Sequence, residues 1–136
     1  EAAIFGMKQN DVIALYGKPN KNYKDEDDNV IFAYNALKMR LTFYKEEELK
    51  LGYIVASSPD LELFGNKIIG KKINEVKKEL ATKSITKFTE EDFDTFENYF
   101  NEDNWLFFYV DYDEVVEVEI GAIINDNDEF EWKFRG

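Results

Sequence analysis

The sequence predicts a mixed α+β fold in which two tandem helix-plus-three-strand repeats form an antiparallel sheet with the helices packed on one face. Three observations lead to this fold class. A glycine-centred pattern occurs twice, each copy is followed by apolar residues at helical spacing, and each of these stretches precedes segments of alternating polarity. We therefore expect one domain, residues 1–136, with repeat one at 1–60 and repeat two at 61–136.

The first copy of the pattern lies near the amino terminus. Two apolar residues precede Gly6, and Val12 follows the glycine by six positions. Val12 and Tyr16 are four residues apart, so their side chains lie on one face of a helix. Gly17, with Pro19 just beyond it, is a typical helix stop. The sequence therefore predicts a first short helix that contains Val12 and ends at Gly17.

The second copy starts 64 residues later. Two apolar residues precede Gly70, and Val76 again follows the glycine by six positions. Ile73, Val76 and Leu80 have the spacing of one helix face. The apolar pattern ends near Ala81 without a glycine–proline stop. We therefore predict a second helix that carries these three apolar residues and ends near Ala81.

Strands are predicted after each helix. Residues 37–43 alternate between apolar and polar with the period of a half-buried strand, whereas residues 105–112 are apolar on both faces. Polar clusters such as residues 25–29 predict the turns between them. Repeat two has five extra residues between helix and sheet, and residues 89–92 resemble a helix start, which predicts a short helical turn. The predicted strands are residues 30–34, 37–43, 49–55, 96–100, 105–112 and 115–124.

The alternation in repeat two also predicts which side chains face the helix and which face outward. The set expected to be buried is Leu106, Phe108, Val110, Tyr112, Val116, Val118 and Ile120. The outward set, which we interpret as a partner-binding surface, is Trp105, Phe107, Tyr109, Asp111, Glu117 and Glu119. Aromatic anchors and a charged rim are typical of protein interfaces. The alternative is a strand buried on both faces.

The composition excludes several classes of site. The chain has 136 residues, 17 basic and 29 acidic, which gives a net charge of −12 and argues against binding to nucleic acid or anionic membranes. It has no Cys and no His, which removes disulfides, thiolate metal sites and the commonest general base. No apolar stretch approaches membrane-spanning length. We therefore expect no membrane insertion, no catalytic residues, no cofactor and no bound metal.

Two motifs indicate other functions and are weighed against simpler interpretations. Residues 65–72 approach the phosphate-binding loop pattern, but Lys72 stands where a Ser or Thr must bind Mg²⁺, and Gly70 already serves as the turn before a helix. Asp25, Asp27 and Asn29 have the start of a calcium-loop spacing without its glycine or its final glutamate. A solvated turn is the simpler interpretation. A carboxylate-only enzyme stays an open alternative.

The charge is unevenly distributed along the chain. Residues 66–87 contain seven Lys and two Glu, a net charge of +5, whereas residues 88–136 contain 16 acidic and two basic residues, a net charge of −14. Solvated faces that aid solubility account for such runs in many proteins. The alternative is an acidic surface for a basic protein partner, because such a surface accelerates association with cationic proteins.

One stretch resembles known families. Gly6, Met7, Val12, Gly17 and Pro19 occur in a pattern similar to the opening of the outer-membrane assembly lipoproteins of the SmpA/OmlA type and of the secreted β-lactamase-inhibitory proteins. The second family is built from two tandem helix-plus-strands repeats, which the two copies of the pattern resemble. The inhibitory proteins also carry disulfides, which this Cys-free chain lacks. The resemblance implies a protein-binding role on a sheet surface.

These observations lead to a functional hypothesis. We expect a non-catalytic binding protein, of the immunity or inhibitor type, that neutralises a basic enzyme or toxin by covering its cationic site. The alternative is an envelope lipoprotein-like scaffold or assembly factor of the SmpA/OmlA type. An immunity protein is expected in the cytoplasm, whereas a signal peptide before Glu1 would place the chain in the cell envelope or outside the cell.

Overall fold

The computed structural model of the protein describes residues 4–63, 66–124, 127, 129 and 130. The chain forms two compact units. Unit 1 comprises Glu1–Ile54 and Gly121–Gly136, and unit 2 comprises Val55–Ile120. Within the described residues, each unit contains one α-helix and four neighbouring antiparallel strands, and unit 2 also contains a ribbon of two short antiparallel strands. The predicted α+β class with antiparallel strands is therefore confirmed.

Unit 1 consists of a short helix followed by four strands. They are α1 Gln9–Tyr16, β1 Lys21–Lys24, β2 Val30–Tyr34, β3 Met39–Tyr44 and β4 Lys50–Ala56, with a 3₁₀ helix Lys45–Glu47 between the last two strands. The strands lie side by side in chain order. β1 pairs antiparallel with β2, and β2 pairs antiparallel with β3.

Hydrogen bonds at both ends of α1 hold the helix in place. The N–H of Lys8 donates to the carboxylate of Asp11 at 2.9 Å, which occupies a backbone donor at the first turn. Gly17 ends the helix with φ of 79°, and its carbonyl accepts a 2.8 Å hydrogen bond from the hydroxyl of Tyr34. The predicted helix and its stop are confirmed. The core of unit 1 is Met7, Val12, Val30, Phe32, Tyr34, Leu41, Phe43 and Leu51.

Unit 2 contains a small ribbon, a helix and four sheet strands. They are β5 Glu62–Leu63, β6 Asn66–Lys67, α2 Ile73–Ala81, β7 Thr89–Phe93, β8 Phe96–Asn101, β9 Leu106–Asp111 and β10 Glu114–Gly121. β5 and β6 pair only with each other. The sheet strands of the unit lie in the order β10, β9, β8, β7, and each neighbouring pair is antiparallel.

Helix α2 covers one face of this sheet. Its residues Ile73, Val76 and Leu80 are at most 3% exposed, so the predicted second helix and its apolar face are confirmed. Gly70, with φ of 91°, donates its N–H to the carbonyl of Val115 at 2.7 Å, which anchors the turn before α2 to β10. The core of unit 2 is Ile68, Ile73, Val76, Leu80, Ile85, Tyr99, Leu106, Phe108, Val110, Val115 and Val118.

Each unit has four sheet strands where the sequence predicts three. β1 lies outside every predicted strand, and β7 occupies the stretch predicted to form a helical turn, so that prediction is wrong. Every residue of both strands is exposed, so neither segment shows the alternation that marks a half-buried strand. β7 is fixed by its pairing with β8, which runs from Thr89 opposite Phe100 to Phe93 opposite Phe96.

Two residues expected in the core are exposed instead. Tyr112 is 73% exposed with φ of 48°, and together with Asp113 at φ of 67° it forms the two-residue turn between β9 and β10. Val116 is 45% exposed because the pairing register shifts between Val115 and Glu117, which makes Val116 the extra residue of a β-bulge. The alternation of buried and exposed residues is therefore interrupted at the turn and again at the bulge, which is why both burial predictions are wrong.

Candidate functional site

Strand β9 separates the two faces of the sheet in unit 2. Leu106, Phe108 and Val110 point to the α2 side and are at most 2% exposed. Phe107 and Tyr109 alternate with them, so they lie on the opposite face, where both are half-buried. This face is not covered by α2 and is the open face of unit 2.

Strand β10 adds carboxylates to the open face. Glu117 lies directly opposite Tyr109, and Glu119 lies directly opposite Phe107 in the β9–β10 register. Residues that face each other across an antiparallel pair project from the same side of the sheet. Asp111, at the exposed end of β9, is two residues from Tyr109 and four from Phe107, so it lies on the same face of the sheet. The structure therefore brings five of the six residues predicted for partner binding onto one surface.

Trp105, the sixth predicted residue, lies just before β9 and not within it. It has φ of 47°, and its N–H donates to the carbonyl of Glu102 at 3.2 Å, so it belongs to the tight turn after β8. Its side chain is 41% exposed and packs edge-on against Phe100, with ring centroids 5.1 Å apart. This contact joins Trp105 to the open face from the turn.

Strands β8 and β7 supply residues that the sequence analysis missed. Phe100 and Phe96 lie opposite Phe107 and Asp111, and Phe93 pairs in turn with Phe96. Only the strand register shows that these three phenylalanines lie on the open face. The sequence predicts a helical turn where β7 lies, and β7 has no alternation of buried and exposed residues. We call the whole surface the acidic aromatic face. Its members are Phe93, Phe96, Phe100, Trp105, Phe107, Tyr109, Glu91, Asp111, Glu117 and Glu119.

The rings of the acidic aromatic face contact one another. Phe100 lies 5.7 Å from Phe107, which lies 4.8 Å from Tyr109, as measured between ring centroids. Phe93 and Phe96 stack separately at 5.0 Å with an interplanar angle of 15°. Ring pairs at these separations attract each other beyond the effect of buried area. The rings of this face therefore pack against one another within the protein.

Tyr109 is also held through its hydroxyl. Burial of the phenol, a hydrogen bond to Glu119 and the negative charges of Glu119 and Glu117 raise the pKa of Tyr109 to about 12. The phenol is therefore neutral at physiological pH and donates to the carboxylate. Close to it on the same face, the side-chain oxygen of Asn98 is buried and accepts no hydrogen bond from the described residues.

The lysine-rich stretch 66–87 lies on the α2 side of unit 2 and is partly paired within the unit. The ammonium of Lys71 lies 2.9 Å from the carboxylate of Glu79, and that of Lys77 lies 3.1 Å from Glu90. The Lys77 ammonium also lies 5.3 Å from the centre of the Tyr99 ring. The lysines of unit 2 therefore lie on the α2 side together with carboxylates such as Glu79 and Glu90, whereas the described strand residues of the open face include carboxylates and no lysine.

The motifs that indicated other functions have structural roles. One carboxylate oxygen of Asp25 accepts hydrogen bonds from the N–H groups of Asp27 and Asn29, at 2.9 and 3.0 Å, so residues 25–29 form the predicted turn, between β1 and β2. Gly70 forms the predicted turn before α2, while Gly65 lies outside the described residues. In the described part of the chain, no group of three or more acidic side chains could hold a metal ion, and no helix is long and apolar enough to cross a membrane.

Comparison with known proteins identifies the fold. No protein family and no curated protein matches the sequence. Solved structures that match include an extracellular protein containing an SCP domain from Bacillus anthracis, with 16% identity and a TM-score of 0.61 over 87% of this chain. A cysteine-rich secretory protein from Staphylococcus aureus matches with 17% identity and a TM-score of 0.54 over 93% of this chain. The chain spans 44% and 50% of those chains, about half their length.

These matches correct the resemblance drawn from residues 6–19. The structural neighbours are SCP-domain and cysteine-rich secretory proteins, not β-lactamase-inhibitory proteins or lipoproteins of the SmpA/OmlA type, so that resemblance is wrong. The motif misleads because its residues begin, end and pack a short helix, a role that occurs in many unrelated folds. Gly6 and Gly17 adopt positive φ on either side of a helix, and Val12 packs that helix on a sheet. At 16–17% identity the matches show the fold alone.

Proposed function

We propose that the chain is a non-catalytic protein-binding domain that takes a basic partner on the acidic aromatic face of unit 2. The observation that carries the proposal is the register of β9 and β10, which puts Phe107 and Tyr109 directly opposite Glu119 and Glu117. Half-exposed rings provide area that a partner can bury, and carboxylates beside them select cationic groups. The face therefore combines both elements of a protein interface.

The charge of unit 2 supports a cationic partner. Its lysines lie on the α2 side, where Lys71 and Lys77 pair with carboxylates, while the open face carries Asp111, Glu117 and Glu119. A surface with one sign of charge attracts an oppositely charged protein from about a Debye length away, roughly 8 Å at physiological salt. Neutralisation of a basic enzyme or toxin by covering its cationic site is the inhibitory mechanism that this chemistry allows.

The location that we propose for this interaction is outside the cell. The matching proteins are described as extracellular and as secretory, which supports a partner met in that environment. The matching structures give no information about catalysis. Our proposal that the chain is non-catalytic is therefore based on its amino-acid composition. Without His or Cys, this chain lacks the commonest general base and any thiol nucleophile.

We also propose that the two units are tandem repeats of one helix-plus-strands motif. Gly6 and Gly70 both have positive φ, 102° and 91°, and each is followed six positions later by a valine that is 0% exposed. The N–H of Gly6 donates to the carbonyl of Leu51 in β4, as the N–H of Gly70 donates to Val115 in β10. An experimental structure in which residues 4–56 superpose on residues 68–124 with the same strand order tests this.

The binding proposal is tested with matched bait proteins and the secreted proteins of the native organism. Baits are the wild-type chain, Phe107→Ala on the face, and Tyr23→Ala, which removes a 42% exposed aromatic ring from β1 in unit 1. We expect one basic protein, identified by mass spectrometry, to be retained by wild type and Tyr23→Ala and lost with Phe107→Ala. Titration calorimetry with that purified protein then measures the affinity. Equal binding to all three baits, or an acidic partner, contradicts the proposal.

A further inference from the structure

A recess opens on the acidic aromatic face beside the turn that joins β9 to β10. Its volume is about 460 Å³. Strands β8, β9 and β10 all contribute to its walls. The lining residues are Thr95, Phe96, Tyr109, Val110, Asp111, Val116 and Glu117.

The bulge in β10 shapes this recess. Val115 lies opposite Val110, but the next paired residue of β10 is Glu117, opposite Tyr109, so Val116 is an extra residue at the wall. On the other side, Phe96 lies opposite Asp111 across the β8–β9 pair. The result is a depression whose lining includes two cross-strand pairs of a ring and a carboxylate: Phe96 opposite Asp111, and Tyr109 opposite Glu117.

This lining matches the chemistry of one side chain. We propose that the recess takes an arginine side chain of the basic partner, an inference that rests on the proposed function. A guanidinium stacks on aromatic faces and donates in parallel to a carboxylate, whereas a lysine ammonium is a more strongly hydrated point charge. None of the lining residues is basic. Phe96, 45% exposed, offers the ring face that is not stacked on Phe93.

Other ligands fit the recess less well. A divalent cation prefers six or more oxygen ligands, and only Asp111 and Glu117 supply carboxylates to this lining. A wholly apolar ligand would remove the exposed carboxylate of Asp111 from water without supplying a cationic group, which costs free energy. An arginine side chain pairs with the carboxylates and buries its stem against Val116.

The test uses short capped peptides and the full chain. The probe is Ac-Gly-Arg-Gly-NH₂, with Ac-Gly-Lys-Gly-NH₂ and the neutral citrulline analogue as comparisons, and binding is followed by amide chemical shifts in NMR. We expect saturable shifts centred on Thr95 and Val116, weaker affinity for the lysine peptide, and none for citrulline. Asp111→Asn should weaken arginine binding by up to about fivefold, the scale of an exposed ion pair. Asp103→Asn, an exposed carboxylate outside the recess, should leave binding unchanged.

The outcomes separate this inference from the proposed function. If the arginine peptide produces no saturable shift, or if its shifts are insensitive to Asp111→Asn and to Phe96→Leu, the arginine site is wrong. Binding of the basic partner that still depends on Phe107 would then leave the proposed function standing. Conversely, arginine binding at the recess without any basic partner on the face supports the guanidinium site and contradicts the proposed function. Both variants change exposed side chains, and thermal melts verify that they fold.

Discussion

The hydroxyl of Tyr109 donates a hydrogen bond to the carboxylate of Glu119, although the residue directly opposite Tyr109 in β10 is Glu117. The contact is therefore diagonal across the strand pair, which is within the reach of a long aromatic side chain. The ring of Tyr109 packs against that of Phe107 at a tilt of 43°, and its hydroxyl hydrogen-bonds to Glu119. These two contacts restrict the rotamers of Tyr109 in the free protein, which lowers the entropy cost of ordering it in an interface.

The first prediction concerns the titration of Tyr109. Its pKa is raised to about 12 in the folded protein by burial and by Glu119 and Glu117, against about 10 in an unfolded chain. Because folding favours the neutral phenol, this contribution to stability is complete below about pH 10 and is lost as the pH rises through about 12. We expect the Glu119→Gln variant to lower the pKa of Tyr109, as measured by NMR titration.

The control for that titration is Glu75→Gln, which removes an exposed carboxylate of α2 on the other side of the sheet. It should leave the titration of Tyr109 unchanged. The Tyr109→Phe variant should also lose stability less steeply than wild type between about pH 10 and 12, in denaturant unfolding. An unaltered pKa in Glu119→Gln would show that burial alone controls this phenol.

The second prediction contrasts two neighbouring phenylalanines of β9. Phe108 is 0% exposed in the core, so Phe108→Ala should lower the free energy of unfolding by about 3–5 kcal/mol. Phe107 is half-buried on the open face, so Phe107→Ala should cost about 1 kcal/mol and instead accelerate dissociation of the basic partner. Thermal melts and binding kinetics measure the two effects. An equally large loss of stability in Phe107→Ala would assign Phe107 to the core and end the binding-face hypothesis.

The third prediction concerns association rates. Replacing Glu117 and Glu119 by Lys should slow association with a basic partner and flatten its salt dependence, because long-range attraction between opposite charges acts mainly on the encounter step. Stopped-flow or surface-based kinetics at several salt concentrations measure this. The single reversal Glu75→Lys on α2 is the control for Glu117→Lys, since both remove one carboxylate and add one ammonium. If Glu75→Lys and Glu117→Lys slow association equally, the net charge of the protein controls the association rate, and the acidic aromatic face has no special role.

The fourth prediction concerns the paired valines of the two helices. Val12 and Val76 are both 0% exposed, one in each core. Truncation of either to Ala should lower the free energy of unfolding by about 1–3 kcal/mol, as measured by urea denaturation. Lys78→Ala, at an exposed position of α2, is the control and should change stability by no more than about 0.5 kcal/mol. A loss below that level in Val76→Ala would contradict its core position.

The fifth prediction concerns Gly52, a buried residue of β4 that lies beneath the ring of Tyr44. A Cβ atom added to Gly52 would overlap the Tyr44 ring. Gly52→Ala should therefore destabilise the protein by about 1–3 kcal/mol. In a Tyr44→Ala background the same substitution should cost clearly less, which a double-mutant cycle measures. Additive costs would show that the ring is not the obstacle.

The sequence predicts well those elements whose apolar residues follow a regular period. α1 and α2 follow from the spacings around Val12 and Val76, and the inner strands follow from alternation. Edge strands cannot be found in this way. Every residue of β1 and β7 is exposed, so their sequences show no buried period that would distinguish them from loops.

The candidate surface is predictable only in part, for a related reason. Alternation along β9 places Phe107 and Tyr109 on the side away from Phe108, as the structure shows. The contributions of Phe96 and Phe100 depend on which strand lies beside β9 and in which register, and both are tertiary properties. The bulge at Val116 that shapes the recess likewise has no signal in the local alternation.

The lysines of unit 2 lie on the α2 side, and the described strand residues of its open face include carboxylates and no lysine, which gives the unit an electric dipole with a component along the sheet normal. A charged body nearby then exerts a torque on the unit as well as a net force, and rotation is faster than translation over such short distances. A cationic partner, or a positively charged chromatography matrix, would meet the unit already turned with Glu117 and Glu119 forward and with α2 pointing away. Orientation of this kind raises the fraction of encounters that are productive, independently of how tightly the final contact holds.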